Sequence, residues 1–381
     1  MKALLLAPMG SVHRRFNKAN IDVLTALGYE VHLAANFDIG DGTEKQNGEY
    51  VEQCTKKGII IHSIAYERHS LLRNLSKIRE TKKLLTLEQF DIVHAHTETG
   101  GLILRLAGKP YKHSIYVYTA HGMSFYIGSS FKSQMVYRPI ERWICFGMNI
   151  NIAINQEEYT ILKKWNPHTA NYVHGIGLDL ERFHMMDAKC RERVRREFGI
   201  PTDVKVVLSV GELDDNKNHQ VVIQALGSMA RNDVYYIICG VGPKKTYLEK
   251  LVKHYGLEKQ VVFAGYRKDI PAILHASDIF AFPSYPEGLP VSLMEAMAAQ
   301  LPVVCSRIRG NVDLIQDGAG GYMCLPENVA EFTAALDRML SKVFDYSDMA
   351  IWNYKRSYNY SYDYVKAELQ AIYGGKDDVI N

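Results

Sequence analysis

EGLPVSLME, Glu287 to Glu295, sets two carboxylates around the start of a helix. Pro290 fits the first helical turn, where a missing N–H costs nothing. Val291, Met294, Met297 and Ala298 then recur at helical spacing, so the stretch reads as a loop running into a partly buried helix. Glu287 stands before the turn and Glu295 inside the helix. The free N–H groups and positive dipole end between them suit a phosphate, and the carboxylates can accept hydrogen bonds from sugar hydroxyls. An ordinary surface helix carries such pairs too, so the two glutamates alone leave both readings open.

The longer context is more specific. GYRKDIPAILHASDIFAFPSYPEGLPVSLMEAMAAQLPVVCSRIRGNVDLI, Gly265 to Ile315, resembles the donor-binding half of retaining GT-B glycosyltransferases of glycosyltransferase family four. The matching positions, in order, are Gly265, Asp269-Ile270-Pro271, Ser277-Asp278, Pro283-Ser284, Glu287, Glu295-Ala296-Met297 and Pro302-Val303-Val304. The resemblance implies an α/β chain of the GT-B type, two Rossmann-like doubly wound domains facing each other across a cleft.

Length and composition agree with that expectation. A chain of 381 residues exceeds what one core usually serves, and two domains of roughly 180 residues are the natural division. With 47% apolar and 23% charged residues the profile is that of a folding, soluble chain. MKALLLAPMG meets Pro8 and Gly10 too early for a signal-peptide core and reads as a first buried strand. Nothing runs 18 apolar residues without charge, so a cytoplasmic protein is expected. The six cysteines lie far apart without CxxC, which argues against a zinc site and a disulfide framework. A net charge of +3 is too small to imply nucleic acid, but residues 1–180 hold 21 Lys/Arg against 16 Asp/Glu, making the first half the basic one.

Strand-like runs alternate with amphipathic segments throughout. KALLLAP, EVHLAAN, GIIIHSI, DIVHAHT and SIYVYTAH mark the first half; KVVLSVG, VYYIICG, QVVFAG, IFAFPS and PVVCS mark the second. Short apolar runs separated by helices point to parallel sheets covered on both faces. The domain division is expected at 1–184, 185–358 and 359–381. The charged segment DAKCRERVRREFGIP after the first boundary reads as a helix stopping at Gly199. The final segment, YSYDYVKAELQAIYG, is an amphipathic helix that the resemblance sends back onto the first domain.

Open α/β sheets bind ligands beyond the carboxyl ends of their strands. After KVVLSV, Gly211 allows close backbone approach and Lys217 offers a compact charge for a diphosphate, although a solvated lysine would look the same. Family members usually carry an arginine where this chain has Glu212. That puts a two-cation clamp in doubt unless Glu212 turns away or Arg267 or Arg309 compensates. His121-Gly122 ends another strand; a lone histidine is more often structural, but the resemblance places His121 at the donor sugar. It also implies Glu287 at the reacting carbon, Glu295 on the ribose hydroxyls, and Gly288, Leu289 and Val291 around the phosphates. Tyr266 and Arg267 are the candidates for contact with the base, with Asp269 capping the next helix. In PMGSVHRRF, Gly10 and Ser11 offer backbone amides, and His13, Arg14 and Arg15 are cations for an anionic acceptor or equally a solvent-facing turn. ERHSLLRNLSKIRETKKLL and YRPIERWICFGMN mix cations with apolar residues, as membrane-surface helices do and as ordinary core-facing helices do.

No Asp-X-Asp triplet occurs, and His94 and His96 lack further ligands at zinc spacing, so a metal-independent enzyme without cofactor is expected. The activity implied is transfer of a sugar from a nucleoside diphosphate donor, UDP by analogy, to a hydroxyl acceptor with retention. The enzyme would be a hexosyl- or N-acetylhexosaminyltransferase with a front-face mechanism. GELDDNKNH, TAHGMSFY and SRIRGN look like bacterial enzymes building capsular or extracellular polysaccharide on a lipid carrier. A lipid-linked saccharide acceptor, and peripheral contact of the basic first half with the inner membrane face, would follow. A nucleotide-sugar 2-epimerase and a non-catalytic partner subunit are the rival readings.

Overall fold

The computed structural model describes every residue except 39–43, 68–72, 185–187, 342–344 and 376–381. The chain divides into two compact units, Met1–Gly177 with Tyr362–Asn381, and Leu178–Ser361.

The first unit is built on β1 (Lys2–Met9), β2 (Glu30–Asn36), β3 (Ile60–Ser63), β4 (Ile92–His96), β5 (Ile115–Ala120), β6 (Ile150–Ala153) and β7 (Ala170–Tyr172). All pairs are parallel, in the order β3-β2-β1-β4-β5-β6-β7. Leu4 and Leu6 of β1 face one apolar cluster with Val93, Ala95, Tyr116 and Tyr118, while Ala3 and Leu5 face another with Ile92, Ile115 and Val117. Side chains alternate across a strand, so a continuous apolar run such as ALLLA can serve two helical layers at once. β6 and β7 add two strands to the five that the apolar runs of the first half mark.

The second unit repeats the plan with β8 (Lys205–Val210), β9 (Val234–Cys239), β10 (Val261–Gly265), β11 (Ile279–Phe282), β12 (Val303–Ser306) and β13 (Gly321–Cys324), in the order β10-β9-β8-β11-β12-β13. Asp278, just before β11, ties the unit's first long helix to its sheet. Arg191 and Arg195 of the helix Ala188–Glu197 each donate to it at 2.8 Å, and so does the Val206 N–H. That helix is the charged segment read from the sequence, Asp187 lying outside the described residues, and Gly199 after it takes φ +66°.

The units divide at Gly177 rather than after residue 184, because the intervening residues bond into the second unit. The Leu178 N–H donates to Tyr360 O, and His275 Nε2 donates to Phe183 O. The last helix, Tyr362–Gly374, belongs to the first unit, packing on the helix Lys18–Ala26 and burying Val365, Leu369 and Tyr373. All six cysteines are buried and unpaired. No helix among the described residues is long and apolar enough to cross a membrane.

Candidate active site

In each sheet the strand order reverses direction between the first strand and its neighbour, and the loops leaving those two strands flank the position where such folds bind ligands. In the second unit these are the loops after β8 and β11. They are stitched together: Asn216 O accepts the Tyr285 N–H at 2.8 Å, Asn216 Nδ2 donates to Pro286 O, and Asn218 Nδ2 donates to Pro283 O. Asn218 takes φ +51°, a conformation asparagine tolerates. The stitching sets Lys217 against Glu287, with Nζ 2.5 Å from Oε1 and 5.3 Å from the centre of the Phe282 ring. The lysine stem lies on Gly211, where a Cβ would sit 3.0 Å from Lys217 Cδ.

Behind Glu287, Arg309 Nε donates to its carbonyl oxygen at 2.9 Å. Gly310 takes φ +78°, and a Cβ there would meet Gly288 O at 2.4 Å. The loop after β12 thus supports the loop after β11 from close range. Pro290 stands at the N-cap of the helix Val291–Ala298 rather than in its first turn. Leu289 is buried beside it, and Gly288 and Val291 are half-buried. One turn on, the half-buried Glu295 carboxylate has no ion pair or hydrogen bond among the described residues. Burial pushes its pKa up to about 7, against a smaller opposing effect of Arg182. Three buried polar atoms of the loops after β11 and β12 also lack partners among the described residues: Ser284 Oγ, Ser306 Oγ and Asn311 Oδ1.

Of the two candidates to stand in for the missing arginine, Arg309 lies on the loop after β12 and reaches the backbone of the Glu287 loop. Arg267 is taken by Glu197 at 2.7 Å and by both oxygens of Asp269. Asp269 therefore sits at the N-cap of the helix Ile270–Ala276 without capping it through its side chain, contrary to the expectation. Glu212 is exposed, and its carbonyl accepts from His219 Nε2. Tyr266 projects its ring into solvent.

In the first unit the corresponding loops follow β1 and β4. PMGSVHRRF is not a loop: β1 runs directly into the helix Gly10–Phe16, with Ser11 buried and Gly10 so close to Phe37 that a Cβ would lie 2.5 Å from the ring. His13 is withdrawn from any acceptor. It is buried, donates from Nε2 to Ala34 O, accepts at Nδ1 from Asn17, and desolvation holds it neutral with a pKa of about 4. Arg14 keeps two buried guanidinium nitrogens, Nε and Nη2, without partners among the described residues.

After β4 comes Thr97 at φ +66°, a costly conformation for a β-branched residue. His96 Nδ1 lies 3.0 Å from His121 Nε2 at the end of β5, while His96 Nε2 is buried without a partner among the described residues. His121 stacks on Phe16 and, with His96 and Thr119, lines a small cleft with room for about one water. Desolvation lowers His121 to a pKa of about 4 and His96 well below its ordinary value. Beside them His94 donates from Nδ1 to Tyr373 OH, which donates on to Asn20, and accepts at Nε2 from Thr119. In the sequence His94 and His96 look only like metal candidates; their hydrogen-bonded roles depend on partners 25 and 279 residues away.

Two all-parallel doubly wound units, each gathering polar side chains at its own switch point, make up the two-domain GT-B fold. Residues 19–182 match Glycosyltransferase Family 4, and residues 191–356 match Glycosyl transferases group 1. The chain belongs to the GT-B glycosyltransferases of family four, and it is a glycosyltransferase. Putative glycosyltransferase EpsD of Bacillus subtilis (strain 168) is 29% identical over 347 residues, 90% of this chain and 88% of EpsD. The UDP-Gal:alpha-D-GlcNAc-diphosphoundecaprenol alpha-1,3-galactosyltransferase of Escherichia coli is 29% identical over 286 residues, 71% of this chain and 73% of that one. The crystal structure of Anabaena Alr3699/HepE in complex with UDP superposes with a TM-score of 0.80 at 19% identity, covering 98% of this chain and 100% of that one. At that identity the likeness speaks to fold alone.

Proposed function

We propose that this enzyme transfers a hexosyl or N-acetylhexosaminyl group from a UDP-sugar to a lipid-linked saccharide, with retention at the anomeric carbon and without a metal. The observation that carries the reading is the Lys217–Glu287 pair on the loops of one switch point, with the Glu295 carboxylate, unpartnered among the described residues, on the helix that follows the Glu287 loop. Glu295 accepts the ribose hydroxyls. Glu287 holds the donor sugar near its reacting carbon. The diphosphate takes Lys217 and the N–H groups opening the helix Val291–Ala298, which stabilise the leaving group as its charge grows. His121, held at neutral imidazole, serves the sugar, and Arg14 serves an anionic part of the acceptor.

UDP as the sugar carrier is supported by the UDP bound in the HepE complex and by the UDP-Gal in the name of the Escherichia coli relative. A saccharide on a diphospho-lipid, of the kind used to build capsular or extracellular polysaccharide, is supported by that same name. Retention and the front-face course, in which the departing phosphate oxygen takes the acceptor proton, rest on family membership. Metal independence is supported by Lys217 as the diphosphate's counter-charge and by the lack of an Asp-X-Asp triplet in the sequence.

The test is calorimetric binding of UDP, GDP and ADP, then of UDP-sugars, each with and without EDTA. UDP binding that ignores the chelator is expected. Preference for another nucleotide, or binding lost with EDTA, overturns the corresponding part of the reading.

A further inference from the structure

The hydrogen bonds around the first unit's histidines have directions that can be worked out one by one. A neutral imidazole has one donor and one acceptor nitrogen. The Tyr373 hydroxyl spends its proton on Asn20 Oδ1 at 2.7 Å, so it accepts from His94 Nδ1–H. His94 Nε2 is then bare and accepts the Thr119 hydroxyl at 2.7 Å. Asn20 Nδ2 donates on to Asn17 Oδ1, and Asn17 Nδ2 to His13 Nδ1. The chain ends where His13 Nε2–H donates to Ala34 O.

His96, the last residue of β4, stands beside this chain and outside it. Its ring centre lies 4.0 Å from that of His94, and its sole hydrogen bond among the described residues joins Nδ1 to His121 Nε2 at 3.0 Å. Two arrangements satisfy that distance. If His121 donated, the His96 proton would sit on Nε2, a buried N–H without an acceptor. The cleft that both rings line is mostly apolar, and its other polar side chains, Asn20 and Thr119, belong to the chain above. If His96 donates, Nε2 carries only a lone pair. That is the lesser loss, since folded proteins leave buried N–H groups unsatisfied more rarely than acceptors.

We propose that His96 is a positioning residue for His121: its Nδ1–H donates to His121 Nε2 and so fixes the His121 proton on Nδ1. Stacking on Phe16, with ring centres 5.1 Å apart, sets the plane of the His121 ring, and His96 sets which edge of it is left free. That edge holds Nδ1–H. His121 therefore meets the donor sugar as a hydrogen-bond donor to a hydroxyl oxygen, with no free lone pair to take a proton. It is not a general base, and the acceptor's proton is left to the departing phosphate oxygen. The tautomer stands on the geometry of the first unit alone; its use on a sugar rests on the role proposed for His121 above.

The experiment is a long-range proton–nitrogen correlation spectrum of the full chain carrying 15N-histidine, which reports for each ring the nitrogen that bears the proton. Resonances are assigned by comparison with His96→Leu and His121→Asn. In the wild type, His96 and His121 should both be protonated on Nδ1. In His96→Leu, His121 should shift wholly or partly to the Nε2 form. Turnover of the UDP-sugar that binds best by calorimetry, followed as UDP release, should then fall by about tenfold with KM changed less. His96→Asn, whose amide N–H can replace Nδ1–H, should restore the Nδ1 form and most of the turnover, which lost packing alone would not do. A wild-type His121 protonated on Nε2, or a well-folded His96→Leu in which it stays wholly on Nδ1, overturns the proposal. A changed tautomer with unchanged turnover would instead remove His121 from the sugar and leave the hydrogen bond standing.

Discussion

The ammonium of Lys217 lies 2.5 Å from Oε1 of Glu287, so the cation proposed for the diphosphate and the carboxylate proposed for the sugar neutralise each other before any donor arrives. Glu287→Gln removes one partner while keeping the shape. The freed ammonium should leave UDP affinity unchanged or raised a few-fold, while turnover falls by about 10²-fold or more through loss of the carboxylate at the reacting centre. Calorimetry and initial rates on the same variant separate the two effects. Full turnover would remove Glu287 from its assigned place, and a large loss of affinity would mean that the pair acts as one binding unit.

Glu295 gives a proton-linked prediction. Its pKa of about 7 means that much of the free enzyme carries a proton there at neutral pH. Ribose hydroxyls donating to the carboxylate favour its ionised form, so nucleotide binding should release protons near pH 7. Binding heats measured in buffers of different ionisation enthalpy report that release. Glu295→Gln should abolish the enzyme's share and weaken UDP by about tenfold, in keeping with hydrogen bonds to a charged group. The nucleotide's own ionisation is common to both proteins and cancels in the difference. Equal proton release from wild type and variant would place the hydroxyls elsewhere.

The parts of the fold legible in the sequence are those encoded locally. ALLLA and IYVYTA are continuous apolar runs because parallel strands are covered on both faces, and the interrupted stretch after Phe282 marks its own loop and helix. The four-residue strands at Ile150 and Gly321 and the three-residue strand at Ala170 carry too little pattern to stand out. The site divides in the same way. Glu287 and Glu295 announce themselves through a local motif, whereas the roles of Asn216 and Asn218 exist only once the loops after β8 and β11 lie side by side. His13 looks like one of three surface cations, yet its partner Ala34 belongs to the next strand, and burial there removes its charge.

Gly310 and Gly318 offer a controlled comparison. Both take positive φ, +78° and +79°, but only Gly310 is crowded: a methyl group there would lie 2.4 Å from Gly288 O, whereas one on Gly318 would meet nothing within 4 Å. Alanine at either site carries a positive-φ backbone penalty of at least roughly 1–2 kcal/mol, larger at Gly310, whose ψ of −51° lies outside the left-handed helical well, and each kcal/mol should lower the melting temperature by about 2–4 °C for a unit of this size. Gly310→Ala should also push the 287–290 loop away and weaken donor binding by about tenfold, while Gly318→Ala leaves it intact. Equal donor binding by both variants would show that the loop does not depend on this close approach.

The histidines fix how the first unit responds to acid. His13 and His94 have pKa values of about 4 and 3, and His96 lies well below the ordinary 6.5, in each case because burial penalises the charged imidazolium. An unfolded chain takes up protons at these positions below about pH 6.5, while the folded unit refuses them. Stability from this source is therefore complete above about pH 6.5 and is lost as the pH falls toward 4. Glu295 contributes with the opposite sign in the second unit. Its raised pKa favours the folded state most fully below 4.5, and that contribution is lost as the pH rises through about 7. Melting temperatures taken from about pH 7 down to about pH 5 should fall in the wild type and fall less steeply in His96→Asn, which keeps a polar group beside His121 without a group to protonate. A variant whose slope matches the wild type would exclude His96 from the acid response, and a steeper slope in Glu295→Gln would expose the opposing contribution of the second unit.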